Sequence, residues 1–323
     1  MALNPFGFSF SDEPDIGLQI DILKRLQRPS GRVDVVLDTD TFNEVDDQFA
    51  LAYLLASEDK VNVRAIYAAP FFNHHSTSPA DGMEKSYQEI FHVFSLLHIA
   101  PDTYPVYKGA DKFLPDEQTP VASQAVSHLI ALAKEHTPDN PLYVIGIAAA
   151  TDIASALLIA PEIADRIFVI WLGGMGFDWH DNNSFNAKQD IAAARVLLAH
   201  NLPLVLLPGR GVVDHFHTSG PELKYWLAGK NEFCDYMIKK TTEEAALIYG
   251  AKVWSRPLSD VVAVAWLISP DFMLDRLEPS PIMEYDRYYA HDFRRHYIRY
   301  VYAVNRDALM QDLFSKLAAG ASV

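Results

Sequence analysis

Residues 35–55 read VVLDTDTFNEVDDQFALAYLL. The stretch opens as a continuous aliphatic run, passes through Asp38, Asp40, Glu44, Asp46 and Asp47, and continues in the apolar spacing of a helix. A continuous run, unlike an alternating one, predicts a strand buried on both faces, as in a parallel sheet. Carboxylates this crowded repel one another, so a folded chain keeps them only with compensation: a bound cation, a shared proton or a well-solvated turn. Capping the helix that begins near Asp46 needs one aspartate and leaves the others unexplained.

Working outward, strand-like runs recur at 33–40, 62–70, 142–148, 166–174 and 202–208, with helical patterns between them. This alternation predicts βαβ crossovers and an α/β fold, a doubly wound, mostly parallel open sheet with helices on both faces. The last third shows helical patterns at 220–250, 258–269 and 291–316 and little strand signal, which predicts a helical C-terminal part. In this reading 1–31 is an N-terminal arm with a short amphipathic helix, IGLQIDILKRLQ, and 32–323 is a single α/β domain. HDFRRHYIRYVY, from 291, mixes basic and aromatic residues and reads as a packed amphipathic helix.

The net charge of −15 opposes nucleic acid and anionic membrane surfaces, so the expected partner is a neutral or cationic small molecule. The single cysteine, Cys234, excludes an intrachain disulfide framework or thiolate cluster and reads as a bystander. No leader pattern or membrane-length apolar run is evident, so a soluble cytoplasmic protein is expected, with a homo-oligomer as one open assembly.

Ligands of open α/β sheets sit beyond the carboxyl ends of strands. Those ends carry DTDTFNEVDD, PFFNHHS, GIAAATD and GGMGFDWHDNNSFN, all rich in oxygen-bearing side chains or glycine. An all-oxygen donor set is what a hard divalent ion such as Ca²⁺ prefers.

DTDTFNEVDDQFAL resembles the opening signature of the inosine and uridine-preferring nucleoside hydrolases, in a form whose first aspartate loop is two residues longer than the commonest one. Asn73 of PFFNHHS, PVYKGA at 105–110, Thr151 of ATDIASAL, the pair Gly173 and Gly174, SFNAKQD with Asn186 and Asp190, and Asp260 of SDVVAVAWL follow in the family's order. Asp152, Ser184 and Ser259 stand where the family usually has asparagine, glutamate and histidine. The resemblance, over about 33–270, implies hydrolysis of a ribonucleoside's N-glycosidic bond to ribose and free base, with Ca²⁺ as cofactor. It implies metal ligation by Asp40, Asp47, Asp260 and the Thr151 carbonyl, with Asp40 also the base toward water. Asp46 and Asn186 would hold ribose hydroxyls, with Asn73 and Asn182 nearby, and Asp38 would orient the loop from behind.

For leaving-group help by stacking or protonation, Trp179 and His180 rank first because WHDNNSFN lies just ahead of Asn186; His75, His215, His217 and Trp254 are further candidates. Two alternatives stand beside this reading. One is a phosphatase of the haloacid dehalogenase-like class, which also opens on DxD but is not matched at Phe42; the other is a noncatalytic ligand-binding relative, suggested by Ser184 and Ser259.

Overall fold

The computed structural model describes residues 16–250 and 252–320. Eight strands form one sheet: β1 Val33–Thr39, β2 Val61–Ala68, β3 Val106–Lys108, β4 Leu142–Gly146, β5 Ile167–Leu172, β6 Leu204–Leu207, β7 Met273–Pro279 and β8 Tyr297–Val304. Their order is β3-β2-β1-β4-β5-β6-β8-β7, parallel throughout except for the antiparallel pair of β7 and β8. Successive side chains of β1 feed opposite cores. Val35 and Leu37 join Phe49 and Trp266 on one face, while Val36 joins Leu129, Leu157 and Leu197 on the other. The unbroken apolar run Val35–Leu37 is what two covered faces require.

The chain leaves β1 toward β2 on one side and later returns beside it as β4, so the order reverses between β1 and β4. The carboxyl ends of these strands therefore flank the crevice where such sheets bind ligands.

Two helices fix what enters it. Asp46–Leu55 is buried along its whole length, and Ser259–Ile268 nearly so. They pack against each other, so the acidic first turn of each helix reaches the same place.

The doubly wound sheet is as the sequence predicts, and the helical patterns at 220–250 and 258–269 are helices. The reading of 291–316 as helical is corrected. Tyr297–Val304 is β8, parallel to β6 and antiparallel to β7, and the helix begins only at Arg306. Ile298, Tyr300 and Val301 of β8 are buried, while Arg299 reaches past the core to the Leu26 carbonyl and Asp275. That satisfied arginine disguises a buried strand as an amphipathic surface.

The first fifteen residues of the expected arm lie outside the described residues. Its helix, Ile16–Arg25, buries Ile22 in the common core, and the following Arg28 stacks on Trp266 at 4.3 Å and pairs with Asp275 at 2.9 Å. Among the described residues no helix is long and apolar enough to cross a membrane.

Candidate active site

At the β1 end, Asp40, Asn43, Glu44 and Asp46 line a cavity of about 500 Å³, completed by Asp260 and by the 179–188 segment after β5. Carboxylate oxygens of Asp46, Asp47 and Asp260 lie within 4.8 Å of one another, all buried. At that separation each like-charged pair repels by at least about 3.5 kcal/mol at an effective dielectric of 20. Helix N-terminal dipoles return at most ~2 kcal/mol, so the cluster needs a proton or a cation.

Burial, followed by the Glu44 and Asp47 charges, pushes Asp46 up to about 8. Burial pushes Asp47 up to about 7 even though Thr39 Oγ1 donates to its carboxylate at 2.6 Å. Asp40 and Asp260 are raised chiefly by burial and then by their acidic neighbours.

Both carboxyl oxygens of Asp40 are buried without a hydrogen-bond partner among the described residues. A buried carboxylate lining the cavity with the Asp46, Asp47 and Glu44 charges acting on it suits a hard divalent ion. Asp40, Asp46 and Asp260 open onto the cavity, whereas Asp47 is not part of its lining. The close triad therefore contains Asp46 where the sequence reading put Asp40, with Asp40 beside it.

The remaining expected residues divide by place. Asn186 lines the cavity, and its Nδ2 donates to the carbonyls of Ile147 at 3.0 Å and Leu172 at 2.9 Å. The side chain is thereby fixed to two strand ends, with its carbonyl oxygen as the group left for a ligand. Trp179 and His180 line the cavity too, His180 largely exposed with Nε2 3.6 Å from Asp181.

Asn73 stands one step back, its Nδ2 2.6 Å from Oδ1 of the cavity-lining Asn43. Asn182 is buried behind the wall, accepting from the Met175 amide at 2.8 Å, and Asn183 lines the cavity instead. It steadies the glycine turn, where Gly174 has φ +72° and a Cβ would fall 1.8 Å from the Tyr289 hydroxyl. Thr151 is buried at the first turn of helix Thr151–Ile159, and its hydroxyl donates to Asp190 at 2.8 Å. Asp190 also accepts from the Leu114 and Ala193 amides, so it is a bracing cap.

Asp38, at the end of β1, feels the charge of Asp152 in the first turn of helix Thr151–Ile159; both are buried and both are raised chiefly by burial. Of the other histidines and tryptophans proposed, His75, His215, His217 and Trp254 do not line the cavity.

Sequence reasoning passed over Lys188, Arg210 and Met175, which contribute to the lining, and Arg256, which pairs with Glu44. Lys188 sits inside SFNAKQD two residues past Asn186, and Arg210 follows the β6 end; both positions were open to the strand-end rule.

No curated protein matches the chain in sequence. Solved structures do match in fold. A purine-preferring ribonucleoside hydrolase from Gardnerella vaginalis superposes with TM-score 0.70 at 19% identity, covering 89% of this chain and 99% of that one. A plant nucleoside hydrolase gives 0.72 at 15% identity, covering 90% and 100%. The type III effector protein XopQ, complexed with adenosine diphosphate ribose, gives 0.67 at 18% identity, covering 94% and 99%. The family model for inosine-uridine preferring nucleoside hydrolase matches residues 35–311, a span that contains Asp40, Asp46, Asp47, Asn186 and Asp260. By that match the chain belongs to the inosine-uridine preferring nucleoside hydrolase family, and it is an N-ribohydrolase acting on the N-glycosidic bond of ribonucleosides.

Proposed function

We propose that the cavity between β1, β4 and β5 binds a ribonucleoside and a Ca²⁺ ion, and that ribose and free base leave it as products. The observation that supports this best is the convergence of Asp260 with the adjacent Asp46 and Asp47, far from it in sequence, within 4.8 Å beside an unpartnered Asp40. The ligands would be the carboxylates of Asp40, Asp47 and Asp260 with the Thr151 carbonyl. When bound, such an ion supplies Lewis acidity toward water and toward vicinal hydroxyls.

The chain's own residues divide the remaining work. Asp40 takes the proton of the attacking water; burial raises its basicity, and general-base help of this kind is worth roughly 10²–10⁴-fold. Asp46 and the fixed carbonyl of Asn186 accept hydrogen bonds from ribose hydroxyls, and Asn73 acts through Asn43. The transition state is oxocarbenium-like, so acceptors on the sugar strengthen as positive charge develops. Trp179 stacks on the base and His180 donates to it; both line the cavity wall. Asp38 orients the loop from beneath. Calcium as the ion, the cytoplasm as the compartment and a homo-oligomer as the assembly belong to this proposal.

The family match removes the phosphatase alternative. Ser184 and Ser259 both line the cavity.

The test is a panel of purine and pyrimidine ribosides assayed for free ribose, with and without a chelator. Ribose release that is lost on chelation, and lost at least ~10³-fold in Asp40→Ala, is expected. Turnover indifferent to chelator or to Asp40→Ala overturns the mechanism.

A further inference from the structure

One buried cation stands at the edge of the acidic cluster. Arg256 Nη2 lies 2.6 Å from a Glu44 carboxylate oxygen and 3.9 Å from one of Glu244. Three separate elements meet there. Glu44 belongs to the long loop after β1, two residues before Asp46; Glu244 belongs to helix Glu232–Tyr249; and Arg256 begins a short strand, Arg256–Pro257.

That strand is itself anchored. It pairs antiparallel with His217–Thr218, and the Leu258 amide donates to the Phe216 carbonyl at 2.8 Å. The helix carrying Asp260 starts two residues beyond Pro257. A single side chain thus ties the loop of Asp46 and Asp47 to the segment of Asp260.

The Glu44, Asp46 and Glu244 charges account for a cation here, but affinity for a second cation does not. A buried positive charge beside a cation site repels the ion it adjoins, and Arg256 acts on Asp46 by charge. The compensation available is geometric: the planar guanidinium can bridge two carboxylates that a point charge could not hold together.

We propose that Glu44, Arg256 and Glu244 form a positioning clamp that keeps the inserted aspartate loop in register with the Asp260 segment and thereby sets the site's affinity for a divalent cation. The metal arm of this inference rests on the cation reading above; its loop arm does not. The clamp and simple charge predict opposite signs. Removing the Arg256 charge should tighten ion binding if charge alone matters, and weaken it if the arginine positions the ligands.

The experiment titrates the full-length protein with Ca²⁺ calorimetrically and follows amide hydrogen exchange over 41–46 in chelator. Arg256→Met is expected to weaken Ca²⁺ binding about tenfold and to speed exchange in the loop. Glu44→Gln, at a half-exposed position and with an amide oxygen that still accepts from Arg256, is expected to act in the same direction. The double variant should be no worse than the weaker single, since both remove one interaction. Arg256→Lys should recover part of the loss.

Tighter or unchanged Ca²⁺ binding in Arg256→Met overturns the clamp whatever Glu44→Gln does, because loss of the Glu44 charge weakens ion binding on either account. A wild-type protein that takes up no Ca²⁺ overturns the cation reading instead, and the exchange arm then decides alone: loop exchange unaltered by either substitution overturns the clamp.

Discussion

Raising the pH of the chelated protein should expose the strain stored in the aspartate cluster, and Ca²⁺ should relieve it. Asp47 is pushed up to about 7 and Asp46 to about 8, against an unfolded value of 3.8. A carboxyl raised in this way holds more protons folded than unfolded, so its contribution to stability is lost as pH rises through the window between the two values. For Asp47 alone, the two pH units from 5 to 7 cost about 3 kcal/mol at 1.36 kcal/mol per unit. With ~2.1 cal/mol/K per residue the unfolding entropy is roughly 0.7 kcal/mol/K, so the midpoint falls by about 4 °C. Asp46 adds to this with the same sign.

A divalent ion binds the deprotonated carboxylates, so its stabilisation grows over the same interval. His296, lowered to about 4 mainly by burial, works in the opposite direction, gaining stability for the fold as pH rises from 4 toward 6.5. That contribution is present with and without the ion and cancels in the difference. Thermal melts at pH 5, 6, 7 and 8, in chelator and in saturating Ca²⁺, give that difference directly. An ion-dependent gain that is as large at pH 5 as at pH 8 would refute the reasoning.

Two further substitutions separate bracing from chemistry. Asp190→Ala removes the acceptor for Thr151, Leu114 and Ala193, so unfolding free energy should drop by about 3 kcal/mol in urea melts, with riboside kcat within a few-fold of wild type once folded. Asp152→Asn should stabilise the protein above pH 6 by up to about 3 kcal/mol, because Asp152 is raised to about 6 and its Oδ2 is buried without a partner. The amide nitrogen replaces a charge that repels Asp38; unchanged or lower stability at pH 7.5 would count against that account.

The strands that sequence reveals most plainly are those with a continuous apolar run, as in β4, β5 and β6 and in Val35–Leu37 of β1. β8 escaped because its polar positions are discharged through long-range partners, Arg299 to Asp275 above all, which periodicity does not report. The same limit divides the site. Asp40, Asp46, Asp47 and Asp260 are legible because carboxylates at strand ends and helix starts are costly wherever the chain later folds. Arg256 is not, because its meaning lies in Glu44, 212 residues away. Asp38 and Asp40 make the distinction sharpest. Two residues apart at one strand end, they differ in surroundings: Asp40 faces the cavity and the acidic helix starts, while Asp38 lies outside the cavity lining and feels the charge of Asp152 on helix Thr151–Ile159. Spacing identified a crowd of charges, and only the order of β1 and β4 in the sheet sorted that crowd into one group open to a ligand and one that must settle its repulsion internally.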